Sequence, residues 1–204
     1  MAVLLTGAAG FIGYHVAEAL LARGEEVVGV DNLNPYYDPR LKQARLDRLN
    51  GRKGFRFHRR DIADRATVDV LGAEKGIDRV VHLAAQAGVR HSFKDPLAYV
   101  TANLVGHAHM LEVARALGGR LKHFVYASSS SVYGGNTKLP FSVEDRVDRP
   151  ISLYAATKRA DELLSYSYAE MFGLHATGLR FFTVYGPWGR PDMSAFIFVG
   201  RILK

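Results

Sequence analysis

An apolar run, Val3-Leu4-Leu5, breaks into Thr6-Gly7-Ala8-Ala9-Gly10-Phe11-Ile12-Gly13 and then into residues with apolar side chains at helical spacing. A strand that ends on glycine and re-enters a helix within a few residues restricts the fold severely, because the chain must turn back against its own sheet. Gly7 stands where the strand turns, Gly10 where backbone must let a ligand approach, and Gly13 where the new helix packs closely on the sheet. The spacing is G-x-x-G-x-x-G, not the commoner G-x-G-x-x-G. The first helical turn presents unpaired N–H groups and positive dipole charge, which suits phosphate. The segment therefore reads as a dinucleotide cradle with Gly7, Gly10, Phe11, Ile12 and Gly13 as contacts; the plain alternative is a tight turn.

Apolar periodicity predicts strands over 2–6, 26–30, 55–59, 78–83, 122–127 and 175–180. Helical patterns lie between them: one through Phe11, Val16, Leu20 and Leu21, a second over Leu41 to Leu49, a longer one through Leu104, Met110, Leu111 and Val113, and another over Tyr154 to Phe172. Near-continuous aliphatic strands alternating with helices describe a parallel sheet covered on both faces, a doubly wound α/β fold of Rossmann type. No repeat or Pro/Gly-rich linker divides it, so one domain is expected. Residues 196–204 read as a helix in progress without a stop signal, the expectation for a truncated chain.

Composition excludes several classes. With 204 residues, 48% hydrophobic and 23% charged, the chain can bury a core and is not of disordered type. Cysteine is absent, which removes disulfides and thiolate metal sites and fits a reducing, cytoplasmic setting. The first residues lack a secretory pattern, and no apolar stretch approaches the ~20 residues of a membrane span. The net charge of +7 is spread along the chain apart from the basic run between Arg52 and Arg60, so nucleic acid is not expected; an anionic nucleotide substrate is.

Asp31 closes the second strand about 20 residues beyond the glycines, where a carboxylate accepts adenosine ribose hydroxyls and repels a 2′-phosphate. NAD is thus expected rather than NADP, with neighbouring Asn32 at the same site; a turn aspartate is the alternative. Asp61-Ile62 after the third strand borders the adenine or caps a helix. Leu83-Ala84-Ala85 after the fourth offers small residues where backbone passes close to a cofactor.

Tyr154 and Lys158 stand four apart, on one helix face, and an ammonium there favours phenolate over phenol. Such a phenolate is a general base for a hydroxyl group. The serine run Ser128 to Ser131 follows the fifth strand, whose carboxyl end is where open α/β sheets hold ligands. Ser129 is chosen from it to bridge substrate oxygen and Tyr154, with Ser130 and Ser131 beside the substrate.

Assembled in this order, the residues resemble the extended short-chain dehydrogenase/reductase family and, within it, the NAD-dependent nucleotide-sugar epimerases. The match covers essentially the whole chain. Asp31-Asn32-Leu33-Asn34-Pro35-Tyr36-Tyr37-Asp38, Ala84-Ala85-Gln86-Ala87-Gly88-Val89-Arg90 and the segment from Arg180-Phe181-Phe182-Thr183 through Gly189-Arg190-Pro191-Asp192-Met193 look like UDP-glucuronate 4-epimerases. The resemblance implies oxidation of the sugar at C4 by NAD, with Tyr154 taking the hydroxyl proton, and return of hydride to the other face. It implies Ser129 and Lys158 as Tyr154's catalytic partners, and Arg90, Thr183 and Arg190 near the sugar, Arg190 pairing with a carboxylate or phosphate. A UDP-glucuronate decarboxylase shares this machinery and is the first alternative. A 4,6-dehydratase fits less well, since Ser130 and Ser131 stand where it needs an acidic pair. From another class, the fold also serves non-catalytic NAD-binding modules. The resemblance further implies a homodimer built on the helices at Leu97–Leu117 and Tyr154–Phe172. It also implies a Rossmann-type domain over 1–204 with the start of a substrate-binding region near 183–204, the rest of which is missing.

Overall fold

A computed structural model describes residues 1–203. Six strands, β1 (Ala2–Thr6), β2 (Glu26–Asp31), β3 (Phe55–Arg59), β4 (Ile77–His82), β5 (His123–Ser129) and β6 (Ala176–Phe181), form one sheet in the order β3-β2-β1-β4-β5-β6. Every pairing is parallel. All of β1 is buried, as is β2 from Val27 onward, because helices cover both faces and leave no side for polar residues.

The helices are α1 (Phe11–Ala22), α2 (Pro39–Asn50), α3 (Ala66–Gly72), α4 (Pro96–Tyr99), α5 (Gly106–Leu117), α6 (Leu153–Phe172) and α7 (Ser194–Ile202). Two of the starts have a clear local cause: Asp38 accepts from the Arg40 N–H with Pro39 at the first helical position, and Ser152 Oγ accepts from the Ala155 N–H at 3.0 Å. On one face Leu5, Ala8, Tyr14, Ala17, Val27 and Leu49 join α1 and α2 to the sheet. On the other, Leu4, Val28, Val80, Leu71, Met110, Leu111 and Phe124 join α3 and α5 to it.

Three differences from the sequence-based spans stand out. The helix α3 was not expected; it is seven residues long and too short to show a period. The helix expected around Leu104–Val113 runs from Pro96 to Leu117, and its Val100–Val105 stretch winds as a π-helix around Asn103. The terminal helix expected over 196–204 begins earlier, at Ser194, and closes at Ile202; Lys204 lies outside the described residues.

The chain leaves β1 towards β2 and β3, then returns to β4 on the other side of β1. That reversal opens a crevice at the carboxyl ends of β1 and β4. Thr6 Oγ1 floors it, 2.7 Å from His82 Nδ1 and accepting from the Ala84 N–H at 3.1 Å.

Candidate active site

Above this floor lies a cavity of about 730 Å³, within the range of small-molecule and cofactor sites. Every residue singled out in the sequence lines it: the Gly7–Gly13 turn, Asp31 and Asn32, Asp61 and Ile62, Leu83 to Ala85, Arg90, Ser129 to Ser131, Tyr154 and Lys158, Thr183 and Arg190.

At the turn, Gly7 has φ +74°, and a Cβ on it would lie 2.8 Å from the Ala84 nitrogen. Gly13 corrects one expectation: a Cβ there would run into the Gly7 carbonyl, so its close packing is against the turn itself rather than the sheet. Gly10 precedes α1, whose start has no side-chain cap and no acidic residue in its first turn. The leading N–H groups of α1 thus have no side-chain partner among the described residues. This is the donor set a pyrophosphate requires.

Asp31 is buried at the end of β2. Its Oδ1 accepts from the Leu33 N–H at 2.8 Å and its Oδ2 from the Ala9 N–H at 3.2 Å. These bonds aim the carboxylate, and each oxygen retains a lone pair for a ribose hydroxyl. Lys42, which the sequence reading passed over, places Nζ 3.7 Å from Asp31 Oδ1. Asp61 does not cap α3, which begins at Ala66: its Oδ1 accepts from the Ala63 N–H at 2.8 Å and holds a local turn, while its Oδ2 accepts from Asn32 Nδ2 at 2.9 Å on the cavity wall.

At the other end, Ser152 starts α6 so that Tyr154 falls in its first turn and Lys158 one turn later. Tyr154 is half-buried, its ring edge-on to Tyr99 with centroids 6.1 Å apart. Tyr99 is itself fixed by its hydroxyl, which donates to Ala87 O at 2.8 Å and Gly88 O at 2.6 Å. Lys158 Nζ donates to Ala127 O at 3.0 Å and to Asp161 Oδ2 at 3.1 Å. Two of the three ammonium protons are thereby used, leaving one for the cavity. Asp161 is fully buried, and its Oδ1 has no partner among the described residues. Burial pushes its carboxyl up to about 6, against the pull of Lys158. Behind this pair, burial drives the His107 imidazole down to about 3 and that of His82 well below its ordinary range, with Lys158's charge adding to both. Both histidines are therefore neutral near pH 7.

The serine run divides. Ser128 Oγ donates to Glu162 Oε1 at 2.6 Å, and that carboxylate also binds Arg159 and Arg180, so Ser128 is held in an ionic cluster. Ser129 Oγ accepts from the Ser131 N–H at 3.1 Å, which orients it and leaves its proton free to donate. Thr183 is exposed at the rim. Arg190 lies in the cavity wall with its fork on Asp192, Nε to Oδ1 at 3.2 Å. Asp192 in turn accepts from the Tyr36 hydroxyl at 3.0 Å, and burial together with that carboxylate pushes the phenol up to about 12.

Two further positions, Asn103 and Arg45, escaped the sequence reading. Buried Asn103 accepts from the Gln86 N–H at 2.8 Å and donates to Gln86 O at 3.2 Å and Thr157 Oγ1 at 3.0 Å, tying the loop after β4 to α6. Its one signal was a polar residue inside an apolar helical stretch. Arg45 is fully buried and donates to Ala9 O at 3.0 Å, Trp188 O at 3.1 Å and the Tyr37 hydroxyl at 2.7 Å, clamping the glycine turn to the 186–190 segment. In the sequence it looks like any helical surface arginine.

The family model described as "NAD dependent epimerase/dehydratase family" matches residues 3–204. Among curated relatives, UDP-glucuronate 4-epimerase 3 of Arabidopsis thaliana is 53% identical over 202 residues, 99% of this chain and 46% of the relative. A probable UDP-glucuronate 4-epimerase of Rhizobium meliloti is 50% identical over 202 residues, 99% of this chain and 59% of the relative. This chain thus spans roughly half to three fifths of their length. The crystal structure of UDP-glucuronic acid 4-epimerase from Bacillus cereus, in complex with UDP-glucuronic acid and NAD, matches with a TM-score of 0.88 at 37% identity, covering 100% of this chain and 63% of that one. The uncapped glycine turn, the buried strand-end carboxylate and the tyrosine–lysine pair facing one cavity on a doubly wound sheet agree with these similarities, and the cofactor they fit is NAD. The chain belongs to the NAD dependent epimerase/dehydratase family.

Proposed function

We propose that the whole protein epimerises a UDP-sugar at C4, with UDP-glucuronate and UDP-galacturonate as the pair, through a transient 4-keto sugar. The observation that carries this reading is that Tyr154 and Lys158 line the same cavity as the glycine turn, so a proton acceptor shares one site with the turn that would hold the dinucleotide. Bound NAD supplies the reversible acceptance of hydride from the sugar carbon. Tyr154 takes the hydroxyl proton and later returns it, while Lys158 stabilises the phenolate and Ser129 donates to the sugar oxygen. Arg190 and Thr183 address the uronate or phosphate groups, with Arg90 at the rim and the 183–204 segment beginning the substrate-binding region.

Relatives and a solved structure named for this reaction support the choice of sugar. Incubation of the protein with UDP-glucuronate and chromatography of the products tests it. UDP-galacturonate is expected. A UDP-pentose with released carbon dioxide would replace the epimerase reading with a decarboxylase, and NAD binding without turnover of any UDP-sugar would leave a binding module.

The helices α4 and α6 and the π-helical stretch after α4 leave Leu97, Val105, Leu163, Tyr166 and Phe172 exposed, which supports a homodimer joined through a shared helical bundle. Light scattering checks it: a strict monomer at micromolar concentration removes the proposal. The cysteine-free composition supports a reducing compartment such as the cytoplasm.

A further inference from the structure

Asp31 alone would exclude a ribose 2′-phosphate by charge, yet it does not stand alone. Lys42 reaches up from α2, its side chain 9% exposed, and lines the cavity beside the carboxylate. Its Nζ donates to Asn34 Oδ1 at 3.0 Å, stands 3.7 Å from Asp31 Oδ1, and lies 5.4 Å from the centre of the Tyr37 ring. One hydrogen bond, one ion pair and a ring face hold a long, flexible side chain in one place, so the charge has a defined position. Arg60 also lines the wall here, and its backbone N–H donates to the Asp31 carbonyl at 3.2 Å. This end of the cavity therefore sets two carboxylates, Asp31 and Asp61, against two cations, Lys42 and Arg60.

We propose that Lys42 is a specificity-determining residue of the cofactor site: its ammonium offsets the Asp31 carboxylate and narrows the gap between NAD and NADP affinity that Asp31 alone would impose. The proposal rests on Asp31 facing the adenosine ribose. A 2′-phosphate brought to that ribose meets repulsion from Asp31 and attraction from an ammonium in contact with it. Neutral ribose hydroxyls feel far less of either. Removing the ammonium leaves the repulsion unopposed, so NADP loses more than NAD. Burial lowers the Lys42 pKa, with the Asp31 carboxylate pulling the other way.

Calorimetric titration of the protein with NAD and with NADP, without any sugar, tests this. Lys42→Met is expected to weaken NADP binding about tenfold more than NAD binding, on the scale of one charge–charge interaction at partial screening. Lys42→Arg should keep the unmodified ratio. If Lys42→Met folds poorly, Lys42→Gln keeps a donor to Asn34 without the charge and should shift the ratio the same way. A ratio unchanged within twofold in the neutral variants, or one that moves towards NADP, overturns the proposal; an equal loss for both cofactors marks Lys42 as merely structural. Asp31→Ala distinguishes the two layers, because a ratio insensitive to Asp31 removes the ribose assignment itself. Since only cofactor binding is read, the result is independent of which sugar the protein turns over.

Discussion

Gly10 and Gly13 look interchangeable as glycines but carry different burdens. A Cβ at Gly13 meets the Gly7 carbonyl and the Ala8 Cα, backbone that cannot swing aside, whereas one at Gly10 meets Gly7 O at 3.0 Å and otherwise faces the cavity. Gly13→Ala is therefore expected to destabilise the fold by about 1–3 kcal/mol, the usual cost of overpacking. Gly10→Ala should largely keep its melting temperature while losing NAD affinity. Thermal melts with and without NAD separate the two. For Tyr154→Phe, NAD affinity should stay within a few-fold and kcat should fall roughly 100- to 10,000-fold, the range of a general base. Steady-state kinetics together with cofactor titration check this, and unchanged turnover removes Tyr154 from the mechanism. These residues were legible because a glycine pattern and a tyrosine–lysine spacing are local. Asp161 was not, since nothing in Lys158-Arg159-Ala160-Asp161 says that this carboxylate turns inward to the lysine while neighbouring Glu162 joins Ser128 and Arg180.

Elements were legible in proportion to their length and apolar regularity. The strands came out within a residue or two: β1 and β2, covered on both faces, read as near-continuous aliphatic runs, while β3, Phe55-Arg56-Phe57-His58-Arg59, shows through partial alternation of apolar and polar residues. Asn103 escaped because its role depends on the loop after β4 lying within reach, which only the packing of α6 beside β5 brings about. Arg45 is the sharper case. Its guanidinium fastens α2 to the glycine turn and to Trp188, whose φ of +61° is held by this clamp and by the contact with Tyr14. Replacing it by Met keeps the apolar stem and leaves the Ala9 and Trp188 carbonyls without their buried donor. A loss of about 2–4 kcal/mol is expected from two such groups. Urea unfolding measures it, and faster proteolysis within 186–190 should accompany it; a variant as stable as the original would show that water replaces the donor.

Taken over the whole molecule, the buried titratable groups set how stability responds to acid. His82 and His107 are held neutral below their ordinary range, so as pH falls below about 6.5 the unfolded chain binds protons that the native state does not, and stability is lost. Asp161 works the other way: with its native pKa raised to about 6, the folded state takes up a proton before the unfolded one, and stability is gained between roughly pH 6 and 4. Two protons favouring unfolding against one favouring folding leave a net loss approaching about 1.4 kcal/mol per pH unit in that window. Denaturant unfolding at pH 7 and pH 5 checks the sign, and a protein more stable at pH 5 contradicts it.

The sequence by itself determined the class of fold and the chemical types at the site. Local rules settle both: strand periodicity, helix start signals, and glycines where no side chain fits. Tertiary structure alone decided the electrical state of the site, because charge pairing joins residues far apart in the chain or hidden by helix phase. It set Lys42 beside Asp31, turned Asp161 to Lys158, withdrew Ser128 to Glu162 and left Ser129 facing the cavity. Hydrophobic pattern specifies which side of an element is buried, but which polar groups meet inside depends on how finished elements pack.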